Sequence, residues 1–234
     1  MKSQELAKVV RKKVLDNKNF NKIFCIGYNK TGTSTLETVL KLYGYKLPNS
    51  HDQQRRLSGP SFSTDYSQLA QFCSQYDAFQ DMPFSQGLTY VAADALFPDS
   101  KFILSERSAE SWFNSVCNFH KRVFGLDDLS ALTEKDVLEK FIYLYPGFYH
   151  SNKKRLLSTF NNNKMKVNWD KLYNKDWYID MYTRRNEEIK RYFMNAPEKL
   201  LVIDVTEENT TKKICNFLNI PSAYVISMPH RNKT

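Results

Sequence analysis

The sequence predicts an α/β protein in three layers, with helices on both faces of a central parallel sheet, and three observations predict it. Short apolar runs recur at Ile23–Gly27 (IFCIG), Ala78–Gln80, Lys101–Ser105 (KFILS) and Leu200–Val205 (LLVIDV). Such runs, without alternation, are those of strands buried on both faces. Helical patterns separate them, at Thr33–Tyr43, Tyr66–Gln75, Gln86–Ala95, Ala109–Phe124, Asp176–Phe193 and Thr210–Leu218. Strand and helix in alternation imply right-handed crossovers, with ligands bound at the carboxyl ends of the strands.

The 234 residues suffice for one well-cored domain, and a single domain over 1–234 is expected. Residues 1–20 are expected to form a basic N-terminal helix, its apolar face carrying Leu6, Val9, Val10 and Leu15. Glu5, Asp16 and the prevalence of lysine favour a packed surface helix over an organellar presequence, and no apolar core of a secretory signal is present. Residues 127–175, rich in Asn, Lys and Tyr, break the alternation and are expected to be an inserted helical and loop cover over one side of the site. Within them, Asn161–Lys164 (NNNK) reads as a loop tip.

Hydrophobic residues make up 41% and aromatics 14% of the chain, which excludes a disordered protein. No apolar run approaches the roughly 20 residues that cross a bilayer. The four cysteines form no CxxC pair and sit in apolar patterns, so buried thiols and a cytoplasmic location are expected. A net charge of +9 favours a polyanionic partner: nucleic acid, an acidic membrane or a multiply phosphorylated small molecule. No recognition motif with interleaved aromatics supports nucleic acid.

The most informative stretch is GYNKTGTSTL, residues 27–36, between the first strand and the first long helix. Gly27 ends the strand and Gly32 opens the helix. The amides of Thr31, Gly32, Thr33 and Ser34 would gather at a helix N-terminus, where unpaired N–H groups and the macrodipole favour an anion. Thr33, Ser34 and Thr35 add hydroxyls. This is the layout of a P-loop NTPase-like fold, whose loop reads G-x-x-x-x-G-K-[ST]. Here Thr33 stands in the lysine's place, and the cation, Lys30, precedes Gly32 by two residues. A loop so changed lacks the usual clamp on β- and γ-phosphates.

YNKTGTST resembles the 5′-phosphosulfate loop of sulfotransferases that use 3′-phosphoadenosine 5′-phosphosulfate (PAPS). KFILSERSAESWFNSV supplies Arg107 and, eight residues on, Ser115, similar to the pair that holds the nucleotide's 3′-phosphate in that family. QDMPF around Asp81 resembles the D-x-P segment of the branch whose loop reads RTGT, and the C-terminal half resembles that branch as well. The resemblance implies PAPS as sulfuryl donor, adenosine 3′,5′-bisphosphate as product, no metal, and a small-molecule or carbohydrate acceptor with a hydroxyl or amine. It implies that Lys30 stabilises the leaving phosphate. Thr35 stands where cytosolic members carry a tryptophan against adenine, and no RKG-type loop is present.

The acceptor must lose a proton, so a base belongs near the sulfuryl group. Asp81 follows a strand and lies in the crevice at the sheet's edge; its structural alternative is to cap the next helix. His51, read as lying in a polar loop, is its rival. His120 is expected on a helix surface or packed inside, and His150 and His230 in loops. Glu106 offers a local ion pair to Arg107, although neighbours on a strand face opposite ways. Asp204, ending LLVID, is either a cap or the magnesium ligand of a nucleotide-dependent kinase, the alternative function. Arg231 and Lys233 either reach phosphate or belong to a frayed tail. A basic polyanion-binding protein is the third possibility.

Overall fold

A computed structural model describes residues 3–10 and 20–229. Part of the expected N-terminal helix, together with His230, Arg231 and Lys233, lies outside the described residues. The chain forms two compact units, Met1–Arg107 with Asn186–Thr234, and Ser108–Arg185.

In the first unit the elements up to Arg107 run α1 (Ser3–Val10), β1 (Ile23–Cys25), α2 (Thr33–Leu42), α3 (Ser50–Phe62), α4 (Ser67–Cys73), β2 (Ala78–Phe79), α5 (Thr89–Leu96) and β3 (Lys101–Ser105). Among the described residues the main sheet is completed by β6 (Leu200–Ile203), followed by α10 (Thr210–Phe217), and its order is β2-β1-β3-β6, all parallel. The register pairs Phe24 with Phe79 on one side and with Phe102 on the other.

Alternation along β1 decides the two faces. Ile23 and Cys25 pack with Leu36, Val39 and Leu40 of α2, Ile214 of α10 and Val10 of α1. Phe24 and Ile26 point the other way, toward Leu57 of α3, Leu69 and Phe72 of α4, Tyr90 of α5 and Ile189. On that face Phe24 lies between rings, 5.1 Å from Phe79 and 4.9 Å from Phe84 between centroids. A sheet apolar on both faces must be covered on both, which gives the three layers expected. Because β2 and β3 flank β1, the strand order reverses there, and the crevice at the carboxyl end of β1 is where such sheets bind ligands.

The second unit holds α6 (Ala109–Phe124), α7 (Glu134–Lys140), α8 (Phe148–Leu157), the hairpin β4 (Ser158–Asn161) with β5 (Lys164–Val167), and the start of α9 (Lys175–Tyr192), which belongs to this unit up to Arg185. Its interior is aromatic: Trp112 stacks on Tyr182 at 4.4 Å, and Tyr173 on Tyr178 at 5.6 Å. His120 is buried, its Nδ1 sharing a hydrogen bond with the Tyr173 hydroxyl (2.8 Å) and its Nε2 one with Tyr149 (3.2 Å). His150 lies on α8 rather than in a loop, with Nε2 2.7 Å from Glu134.

Lys153 is buried in this unit, its Nζ donating to Tyr178 at 3.0 Å and lying 4.8 Å from the centre of the Tyr173 ring. Burial pushes its ammonium down to about 7, against an ordinary value of about 10.4. Between those values the unfolded chain keeps a proton that the fold has released, so stability rises with pH across that window and the penalty is fully present below it. Lys153→Met is therefore expected to raise the thermal midpoint by several degrees at pH 6, with the gain shrinking toward about pH 10. A gain that does not vary with pH would show that packing, not charge, is responsible.

The four cysteines carry free thiols. Cys25, Cys73 and Cys215 are buried in the first unit and Cys117 is half-buried in the second. Burial pushes the thiols of Cys25 and Cys73 up to about 12. Among the described residues no helix is long and apolar enough to cross a membrane.

Candidate active site

The loop after β1 has the conformation its glycines permit. Ile26 N–H still bonds to Ile103 of β3 (2.9 Å), so the chain leaves the sheet pressed against its neighbour. A Cβ on Gly27 would stand 2.3 Å from the Ser105 carbonyl oxygen, so this position admits glycine alone without movement of the backbone. Gly32 has φ +92°, and a Cβ there would meet Val205 at 2.2 Å. Thr31 turns its hydroxyl inward, donating to Tyr28 O (2.6 Å) and lying 2.7 Å from Ser105 Oγ. Its N–H also donates to Tyr28 O (3.3 Å), so Thr31 fixes the turn of the loop with both its main chain and its side chain.

Gly32 is the N-cap of α2, and no side chain caps that terminus. The first amides of the helix are left to an anion, in line with its macrodipole. Thr33 and Thr35 are buried and Ser34 is exposed. Lys30 is half-buried and has φ +73°, a conformation that costs a non-glycine residue about 1–2 kcal/mol. This donor set of helix amides, hydroxyls and one lysine suits a phosphate or sulfate ester.

Arg107 lies two residues beyond the end of β3, and its Nη1 is 3.5 Å from the Lys30 carbonyl, at the outer limit of a hydrogen bond. The guanidinium is therefore beside the loop. Glu106 pairs with Lys190, its Oε2 3.1 Å from Nζ. Ser115 is half-buried on α6 in the second unit.

Asp81 sits at the carboxyl end of β2 with φ +68°. It does not cap the next helix, which starts at Thr89 with Leu88 as its cap. Its carboxylate is instead held within the first unit. Oδ1 accepts from Asn29 Nδ2 and from the Met82 N–H (2.8 Å), while Oδ2 receives Gln54 Nε2 at 3.3 Å. Gln53 donates to the Gln80 and Met82 carbonyls (2.7 and 2.8 Å), clamping the strand's end just before the cis Met82–Pro83 bond. Burial raises the pKa of Asp81 above the usual carboxylate range; the Met82 amide, Asn29 and the charge of Lys30 oppose the rise, and Glu37 adds to it.

His51 is placed differently from the polar loop expected. It lies in the first turn of α3, capped by Asn49, and its side chain is exposed. The buried residues of that helix are Gln53, Gln54, Leu57, Ser58 and Ser61. Asp204 serves its own turn, Oδ1 accepting from the Thr206 N–H (2.8 Å) and hydroxyl (2.7 Å). Asn29, Gln53, Gln54 and Ser85 are the residues that the sequence reading passes over. Asn29 adjoins Lys30 within the motif, and the paired glutamines of HDQQRRL were the available signal.

A parallel α/β sheet with a glycine-bounded loop at its switch point, and a carboxylate of raised pKa held by Asn29 of that loop, is an arrangement suited to a phosphate- or sulfate-bearing ligand. Residues 22–234 match the family model described as a sulfotransferase domain. The chain belongs to the sulfotransferase family, which transfers sulfuryl groups to an acceptor substrate. Comparison with curated proteins gives no match.

Proposed function

We propose that this protein transfers a sulfuryl group from PAPS to a hydroxyl or amine of a small-molecule or carbohydrate acceptor. One observation carries the reading: Asn29, next to Lys30 in the anion loop, donates from Nδ2 to Asp81 Oδ1 within one compact unit. A cation for the departing phosphate and a base for the incoming acceptor are thus close neighbours.

In this reading the loop amides, Thr33, Ser34, Thr35 and Lys30 hold the 5′-phosphosulfate, and Arg107, beside that loop, serves the 3′-phosphate. The acceptor oxygen or nitrogen bonds to sulfur as the sulfur–oxygen bond to the 5′-phosphate breaks. The bonding pair stays on the phosphate oxygen, where Lys30 meets the growing charge. The acceptor's proton passes to Asp81, whose raised pKa suits it to the task. The exposed position of His51 makes it the weaker base candidate. A net charge of +9 matches a substrate with several anionic groups, and buried free thiols match a reducing cytoplasm.

Calorimetry tests the donor. Adenosine 3′,5′-bisphosphate is expected to bind in the presence of a chelator at least about tenfold more tightly than ATP with magnesium, a difference of roughly 1.4 kcal/mol. Preference for magnesium ATP would favour a kinase instead.

A further inference from the structure

We propose that Asn29 is a positioning residue that ties the anion loop to Asp81 and leaves Oδ2 as the oxygen that takes the proton. The inference rests on the reading of Asp81 as base. A carboxylate oxygen offers two lone pairs. Oδ1 has two close donors, Asn29 Nδ2 and the Met82 amide at 2.8 Å. Oδ2 has Gln54 at 3.3 Å, a longer and weaker contact. The two oxygens are therefore unequal: one is anchored and the other keeps capacity for an acceptor's proton.

Ser85 completes the device. Its hydroxyl lies 3.1 Å from Asn29 Oδ1 and its N–H bonds to the Asp81 carbonyl at 3.1 Å, so it belongs to the same turn as the carboxylate. An ionised carboxylate repels an amide oxygen, so Asn29 must present its NH₂ group to Asp81. Its own oxygen then faces Ser85, which donates. The charged groups that bear on Asp81 are Lys30 from the loop and Glu37 from α2. Asn29 is covalently next to Lys30, so its side chain joins the loop's cation-bearing turn to the base.

Carbon-13 NMR of aspartate carboxyls reads this directly, with the Asp81 signal identified by its loss in Asp81→Asn. Removing a donor from a carboxylate raises its pKa. Asn29→Ala is expected to raise the Asp81 midpoint by about one pH unit, a tenfold gain in proton affinity, and Ser85→Ala to raise it by less. Affinity for adenosine 3′,5′-bisphosphate should stay within about twofold of wild type, because neither side chain is assigned to the nucleotide. A midpoint that does not move in Asn29→Ala, or in Ser85→Ala should the first variant fail to fold, overturns the proposal. PAPS hydrolysis, with water as acceptor, separates the two levels. If Asp81→Asn hydrolyses PAPS as wild type does, the base reading fails and this inference with it. An inactive Asp81→Asn with an unmoved titration in Asn29→Ala sinks this inference alone.

Discussion

Lys30→Ala is expected to lower sulfuryl transfer from PAPS by about two to three orders of magnitude while the protein stays folded. The loss is of the size that follows removal of one preorganised donor from a developing oxyanion. The contact from Arg107 survives the change, because it uses the Lys30 main-chain carbonyl, which alanine retains. Nor does alanine add strain at φ +73°, since lysine already bears the Cβ penalty there. Lys30→Arg should keep part of the activity, the cation being preserved. Transfer within about threefold of wild type in Lys30→Ala, by release of adenosine 3′,5′-bisphosphate, would remove Lys30 from the mechanism.

Asp81→Asn is expected to act in opposite directions on rate and stability. Transfer should fall by about 10²-fold or more, the range for loss of a general base. Stability near neutrality should rise, and the sign follows from linkage. In the fold the carboxyl titrates above its ordinary value of about 3.9, because burial disfavours the charged form. Below that value the group is neutral in both states and costs nothing. As pH climbs toward the raised value, the fold must either keep the proton or hold a poorly solvated charge, and stability declines. Asparagine carries no such charge and tolerates the left-handed backbone at φ +68°. Thermal melts of both proteins from pH 3.5 to pH 8 should diverge as pH rises and converge below about pH 4. A variant less stable than wild type at pH 8 would mean that Asn29, Met82 N–H and Lys30 outweigh burial.

The sheet was legible because its strands obey one rule. Runs such as IFC and KFILS are apolar without alternation, and the structure buries them on both faces. The anion loop was legible because two glycines fix its ends, and both prove to be places where a Cβ has no room. Helix α3 escaped notice for a physical reason: its buried side is built from Gln53, Gln54, Ser58 and Ser61 around Leu57, so no apolar period marks it. Those same glutamines hold the end of β2. The hairpin of the second unit was hidden likewise, with Phe160 and Met165 outward at 72% and 76% exposure. Its tip was visible, since Asn162 and Asn163 both take positive φ, as a tight hairpin turn demands. The bond from Asn29 to Asp81 spans 52 residues, and no local pattern announces such a partnership.

The distribution of thiols has a practical consequence. Cys25, Cys73 and Cys215 are buried in one compact unit and Cys117 is half-buried in the other, and burial raises the pKa of each thiol and so suppresses its thiolate. Alkylating reagents attack the thiolate, so pulse labelling followed by peptide mass analysis would clock the opening of each unit separately. The native chain carries its own stopwatch, with no engineered tag.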